Sequence, residues 1–309
     1  MKLNIINYSY FKIQILSKLF VLLIFLLFPF FGNSQNDTEV FLMDINTTPN
    51  NFEVSNFRNI SNNPGYNSQP SFADNENLLF AGTQNGQTEI MQFAINLKEK
   101  KRINMPTNGG EYSPQKFPKS NKIAAVRLDT TGVQGLYAYD YDNLENGKNK
   151  LLLPNVEVAY FAFHDNARII ASELGGNQLN LIIANLETNL VENYISNSGR
   201  SIHNVPNSNS VSYTLINEDK NHDIYLLDID GDKESYFVCQ LPVGIQDHCW
   251  LSETKLVLGS GSKLYEYNLF GNQEWKEVAD LSSFNISEIT RIAVSPNGKR
   301  LALVAETKQ

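Results

Sequence analysis

The stretch Ala293-Val294-Ser295-Pro296-Asn297-Gly298-Lys299-Arg300-Leu301-Ala302 decides the fold. It reads as an apolar strand end, a polar turn punctuated by Pro and Gly, and the start of a second apolar strand. The same punctuation recurs upstream. The bulky anchor Val294 has counterparts at Phe72, Phe117, Phe163, Val205 and Trp250, with successive spacings of 45, 46, 42, 45 and 44 residues. Apolar residues resume six positions after the first five anchors, at Leu78, Ile123, Ile169, Val211 and Leu256, and seven after the last, at Leu301. A period of this length is the signature of a repeat architecture.

Each unit continues with a third apolar segment, at residues 89–95, 135–140, 180–186, 223–229 and 263–269. Fourth segments follow at 148–153, 190–196, 234–239 and 275–281. The dipeptides Asn85-Gly86, Asn146-Gly147, Asp230-Gly231 and Gly271-Asn272 fall between segments, where hairpin turns need positive φ. Four strands per unit of about 44 residues is the arithmetic of a propeller blade. The last unit stops after two strands, and the missing pair stands at the other end of the chain, at residues 39–45 and 52–60. The expectation is an all-β, six-bladed β-propeller of four-stranded antiparallel blades, the last blade closed by N- and C-terminal strands together. Such closure removes strand edges that would otherwise pair with other chains.

Composition narrows the function. The 25 basic and 33 acidic residues give a net charge of −8, which argues against a nucleic-acid partner. Two cysteines and four histidines cannot build a disulfide scaffold or a zinc framework. Lys2, Lys12 and Lys18 are the only charges before Asp37, and they precede an unbroken apolar run, 19–31, of 13 residues. A spanning helix needs roughly 20. Gly32 and Ser34 supply small residues just before Gln35. The reading is a signal peptide over 1–34 and one propeller domain over 35–309; an uncleaved anchor, helped by apolar residues at 13–16, is the alternative. Cleavage leaves 22 basic against 33 acidic residues, a net charge of −11. The mature chain is expected to be monomeric, without stable membrane insertion, in the periplasm or secreted to the cell surface.

The segment Asn59-Ile60-Ser61-Asn62-Asn63-Pro64-Gly65-Tyr66-Asn67-Ser68-Gln69-Pro70-Ser71-Phe72 resembles the blade entry of TolB-like, WD-type propellers, and residues 293–302 resemble their core repeat. The turn aspartate of that repeat is replaced here by Asn297, and the α/β domain that precedes the propeller in TolB is absent from residues 35–309. The resemblance implies an exported envelope scaffold that binds a protein or peptide, and supplies no catalytic residue set.

Chemical motifs are sparse. No Gly-x-Ser-x-Gly elbow is present, so the hydrolases that carry propellers as gates are not indicated. His164-Asp165, His222-Asp223 and Asp247-His248 fall at turns or strand ends of different blades and read as solvated polar residues. Asp228-Ile229-Asp230-Gly231-Asp232 lacks the spacing of a calcium loop and reads as a two-residue hairpin. Cys239 and Cys249 could form a disulfide after export, against a reading as buried thiols. No catalytic residue, metal site or cofactor is assigned. The inner-strand acids Glu111, Glu157 and Asp247 lie on separate blades.

Counting four residues back from each anchor gives Ser68, Ser113, Ala159, Ser201, Gln246 and Thr290 as the expected channel lining. Beside them stand Tyr66, Tyr112, Tyr160, Arg200, His203, Asp247, His248 and Arg291. Two arginines in so acidic a chain suit bidentate recognition of a carboxylate. The expected function is therefore a non-enzymatic binding propeller. Its channel mouth, built around Tyr66, Tyr112, Arg200 and Arg291, takes an acidic or C-terminal peptide. The alternative is an exported carbohydrate-active hydrolase or lyase using the central funnel.

Overall fold

The computed structural model describes residues 37–48, 51–141 and 148–307. The expected signal segment and the Asn146-Gly147 turn lie outside them. The propeller falls within the unit Asn36–Gln309. Six antiparallel sheets of four strands make six blades. Blade 1 holds β3 (Asn67–Phe72), β4 (Asn77–Gln84), β5 (Gln87–Ala94) and β6 (Glu99–Arg102). Blade 2 holds β7 (Gly109–Lys116), β8 (Lys122–Asp129), β9 (Gln134–Asp140) and β10 (Asn149–Leu151). Blade 3 holds β11 (Val158–Phe163), β12 (Arg168–Gly175), β13 (Gln178–Asn185) and β14 (Val191–Ser196). Blade 4 holds β15 (Ser198–Asn204), β16 (Ser210–Ile216), β17 (His222–Asp228) and β18 (Ser235–Gln240). Blade 5 holds β19 (Cys249–Ser252), β20 (Lys255–Ser260), β21 (Lys263–Asn268) and β22 (Lys276–Asp280).

Blade 6 is the composite one. Its strand order is β2-β1-β24-β23, where β23 is Ile286–Val294, β24 is Arg300–Thr307, β1 is Glu39–Thr48 and β2 is Asn51–Asn59. β1 joins β24 in the register Glu39↔Ala305 to Asp44↔Arg300. The innermost strands contact one another in a closed cycle, β3 to β7 to β11 to β15 to β19 to β23 and back to β3.

Why these strands read as nearly continuous apolar runs follows from where their faces go. The buried apolar side chains form six clusters, one in each seam between neighbouring blades. Both faces of a middle strand therefore lie in hydrophobic cores, as in other sheets covered on both sides. In β12, Ile169 and Ala171 face blade 2 while Ile170 faces blade 4. In β24, Leu301, Leu303 and Ala305 face blade 5 while Ala302 and Val304 face blade 1. Truncating one such fully buried leucine to alanine costs about 2–5 kcal/mol.

The anchors sit where the repeat puts them, with one slip. Phe72, Phe163, Trp250 and Val294 pair directly with Leu78, Ile169, Leu256 and Leu301. In blades 2 and 4 the paired residues are Lys116 and Asn204, so Phe117 and Val205 stand one position beyond. The turns differ too. Asn85 and Gly86 both have positive φ, as expected. Asp230-Gly231 is no two-residue hairpin: six residues separate β17 from β18, and the positive φ falls on Lys233. The Asp228 carboxylate accepts from the backbone N–H of Asp230 and Gly231 at 3.1 and 3.0 Å, which holds this wider loop. In the turn after β21 the positive φ falls on Gln273 instead of Gly271.

Polar latches supplement three seams. Arg168 of blade 3 binds Asp230 of blade 4 at 2.5 Å, and His164 reaches the same carboxylate at 2.9 Å. His164 and Asp165 are thus parts of an inter-blade ion cluster, not free turn residues. Arg300 in blade 6 reaches Asp44 at 3.4 Å and Glu76 of blade 1 at 3.5 Å. The third latch, between blades 1 and 2, is buried. Glu111 at 0% exposure accepts from Thr107 Oγ1 at 2.5 Å, Tyr139 Oη at 3.2 Å and Arg127 Nε at 3.3 Å. Glu89, 2% exposed and hydrogen-bonded by Asn104, adjoins it, and Glu111 Oε2 has no donor. Burial first, then the neighbouring Glu89, pushes the Glu111 carboxyl up to about 7.

Cys239 and Cys249 are free and buried, and they belong to different seams. Burial raises both thiols to about 12, so they pack as small apolar groups.

Candidate functional site: the central passage

Every innermost strand carries a register shift: Ser68/Ser71, Tyr112/Gln115, Val158/Tyr160, Ser198/Ile202, Trp250/Ser252 and Ile289/Arg291. A bulge places two residues opposite one and re-aims the side chains beyond it. In blades 1 and 2 the bulge residues are Gln69 and Ser113, each directly before a proline and each at positive φ, 56° and 49°. Gln69 Oε1 accepts from the Ser113 backbone N–H at 2.8 Å, tying the two bulges together.

The bulges decide what faces the axis. Three cavities share lining residues in series and so form one passage. A neck of about 80 Å³ is lined by all six blades, including Gln69, Ser113, Tyr160, Arg200, His203, Asp247 and Arg291. It shares Arg200, Asp247, Arg291 and Ile292 with a mouth of about 230 Å³. At the other end it shares Pro70, Ser71, Gln115, Ile202 and His203 with a vestibule of about 660 Å³.

Of the expected ring, Ser113 lines the neck, and Gln246 and Thr290 line the mouth. Ser68 and Ser201 are instead buried in the walls, and Ala159 lines none of the three cavities. Counting back from the anchors fails there because it passes over the extra bulge residue. In blades 1, 3, 5 and 6 the neck-lining residue is the next one along: Gln69, Tyr160, Asp247 and Arg291. Repeat spacing misses Gln69, Pro70, Pro114 and Gln115. Their signal is the shared x-Pro pair of Gln69-Pro70 and Ser113-Pro114, unusual inside a strand.

At the junction of neck and mouth the guanidiniums of Arg200 and Arg291 and the carboxylate of Asp247 line the same two cavities. Asp247, 9% exposed, accepts from the Ile292 backbone N–H at 3.2 Å, which fixes its orientation. Arg200 donates through Nη2 to Thr290 O at 2.6 Å, while its buried Nε has no acceptor. Burial, and then repulsion from Arg291, lowers Arg200 against the pull of Asp247. Arg291 lies 5.2 Å over the Tyr160 ring. Burial opposes its charge, but Asp247, Tyr160 and Tyr66 outweigh it and hold Arg291 above its ordinary value. Tyr66 packs 5.9 Å from Tyr112, and burial raises its hydroxyl. Tyr66 thus acts on both arginines from behind, Tyr112 packs against the core between blades 2 and 3, and neither lines the cavities.

Behind the wall runs a neutral network. Ser201 Oγ lies 3.0 Å from both His203 Nε2 and His248 Nδ1 and accepts from the His248 backbone N–H at 3.1 Å. His248 Nε2 lies 2.9 Å from Ser212 Oγ, which accepts from Trp250 Nε1 at 2.8 Å. Burial pushes His248 well below its ordinary value, so the ring is neutral. Ser201 is 1% exposed, so its hydroxyl is buried in this wall. The Ser–His contacts therefore link blades 4 and 5.

No known family pattern matches the chain, and no curated protein is similar to it in sequence. Solved structures share the fold. A putative TolB from Agrobacterium tumefaciens superposes with TM-score 0.65 at 10% identity, over 89% of this chain and 100% of its own. TolB from Acinetobacter baumannii gives 0.56 at 10% identity, over 90% of this chain and 67% of its own. An oligogalacturonate lyase in complex with manganese gives 0.54 at 12% identity, over 84% and 83%. The chain is thus a six-bladed propeller of the TolB type in fold. Manganese does not fit the residues found here. Among the described residues no three His, Cys, Asp or Glu side chains group to hold a metal, and the ring nitrogens of His248 face two serine hydroxyls. Among those residues, too, no helix is long and apolar enough to cross a membrane.

Proposed function

We propose that this chain is an exported, non-enzymatic binding propeller of the cell envelope whose mouth takes a carboxylate-bearing protein or peptide. The observation that carries the reading is the unbalanced row Arg200, Asp247, Arg291. Two partly desolvated guanidiniums and one carboxylate line the same cavities, and Arg200 Nε is left without an acceptor. A ligand carboxylate supplies the missing negative charge, and charge-assisted bonds to it are about twice as strong as neutral ones. Fold likeness to two TolB structures supports a propeller working outside the cytoplasm, as do Lys2, Lys12, Lys18 and the apolar run before Gln35.

The test uses fluorescein-labelled peptides with acidic C-terminal residues, each as free acid and as amide. The free acids bind, and Arg200→Ala and Arg291→Ala each weaken them by about tenfold or more while the variants still fold and melt cooperatively. Unchanged affinity in the double variant, or equal binding of the amides, sinks the mouth reading. The competing reading is a carbohydrate-active enzyme, favoured by the likeness to a lyase propeller. Turnover of a glycan or peptide substrate that Asp247→Ala abolishes would establish it instead. Export is tested separately: the mature protein begins near Gln35, and membrane-bound protein that retains Met1 refutes cleavage.

A further inference from the structure

The vestibule at the far end of the passage differs in kind from the mouth. Its wall contains no Asp, Glu, Lys or Arg, in a chain where 19% of residues are charged. Burial holds His203 below its ordinary value, so the imidazole adds no charge. A charged ligand group would lose its water there and gain no counter-ion, which is costly. The neck of about 80 Å³ is smaller than the vestibule's 660 Å³ by a wide margin, so a ligand filling the vestibule does not slide through to the arginines.

The polar groups of this wall are aimed by their own bonds. Gln115 Nε2 donates to Phe161 O at 2.5 Å, and Asn204 Nδ2 donates to Phe163 O at 2.6 Å. Ser71 Oγ donates to Pro114 O. Each bond crosses from one inner strand to the next. Each bond uses one of the two N–H donors of the Gln115 or Asn204 amide and fixes which end of the amide is the oxygen acceptor. The backbone carbonyls of Pro114, Phe161 and Phe163 each already accept one of these side-chain bonds. The wall thus presents two oriented amides, each with an acceptor oxygen and a remaining N–H, among apolar residues such as Phe72, Ile202 and Pro206.

We infer that the vestibule is a second binding site, separate from the arginine mouth, for a neutral saccharide. Such a ligand brings many hydroxyl donors on a ring whose C–H faces pack against apolar walls, and it carries no charge. Its size class fits, because 660 Å³ lies within the range of small-ligand sites, about 300–1,000 Å³.

The experiment titrates the full propeller with maltotriose, cellotriose, laminaritriose and N,N′,N″-triacetylchitotriose. Trigalacturonate and an uncharged amidated tetrapeptide serve as comparisons. Binding is read by saturation-transfer NMR and calorimetry. At least one neutral trisaccharide binds, and Asn204→Leu weakens it by about tenfold, the value of one hydrogen bond. Ser252→Trp fills part of the vestibule that Ser252 lines, leaves Asn204 bonded to Phe163, and produces the same loss, so the test survives if Asn204→Leu fails to fold. Arg200→Ala with Arg291→Ala leaves saccharide binding intact, which separates this site from the mouth. No saccharide binding at millimolar concentration, stronger binding of trigalacturonate or of the tetrapeptide, or indifference to Ser252→Trp overturns the inference.

Discussion

Replacing Glu111 by glutamine isolates one buried proton. Glu111 is fully buried in the seam between blades 1 and 2, beside Glu89, and its carboxyl is pushed from 4.5 up to about 7, mainly by burial. The folded state therefore binds this proton more tightly than the unfolded chain does. Stability associated with the group is present below pH 4.5 and is lost as pH rises through about 7. The difference of about 2.5 pH units corresponds to about 3 kcal/mol at 1.36 kcal/mol per unit. A glutamine side chain cannot ionise. Its Oε1 can keep the Thr107 and Tyr139 donors, and its Nε2 can donate toward Glu89, in place of the proton that Glu111 loses. The expected result is a Glu111→Gln protein indistinguishable from wild type near pH 4.5. At pH 8 it is more stable by up to about 3 kcal/mol, a gain of up to about 6 °C in melting temperature for a chain of this size. Urea unfolding at both pH values reads the difference directly. Equal effects at the two pH values, or destabilisation at pH 8, would show that the seam does not hold a raised carboxyl.

Two further expectations concern the same packing logic. Ser212→Ala removes the acceptor of the Trp250 indole N–H and a partner of His248 Nε2; it should cost about 2–4 kcal/mol in chemical denaturation, and a loss below about 0.5 kcal/mol would mean that water replaces the hydroxyl. Deleting residues 39–60 removes two strands of blade 6 and exposes the edge of β24; the product should aggregate on size-exclusion chromatography, and a monomeric, cooperatively melting product would contradict the closure.

The blades are legible in the sequence because their middle strands are buried on both faces, and 169–171 or 301–305 can only be written as unbroken apolar runs. The closing pair is legible for the same reason: Val40, Leu42 and Met43 carry the imprint of two cores at once. The passage is less legible. Arg200, His203, Asp247 and Arg291 stand out by residue type, but their positions depend on bulges that repeat spacing does not encode. Nor can spacing reveal Glu89 against Glu111, since the two sit on different blades and meet only when the seam forms. Nor does residue type place the positive φ in the wider turns, which falls on Lys233 and Gln273 and not on the neighbouring glycines.

The composite blade also sets a clock. Glu39 pairs with Ala305, so β1 has no sheet to join until the far end of the chain has been made and delivered. The cost of closing so long a loop rises only slowly with length, about 0.6 kcal/mol per doubling. Time is the larger burden, because pairings this distant in sequence are slow to form. Until then the β1–β2 hairpin is a free end with one face of Val40 and Leu42 and another of Phe41 and Met43 uncovered. A ring built this way is finished last at its own seam, and a chain that loses its final strand announces the defect as an unpaired hairpin at the opposite terminus.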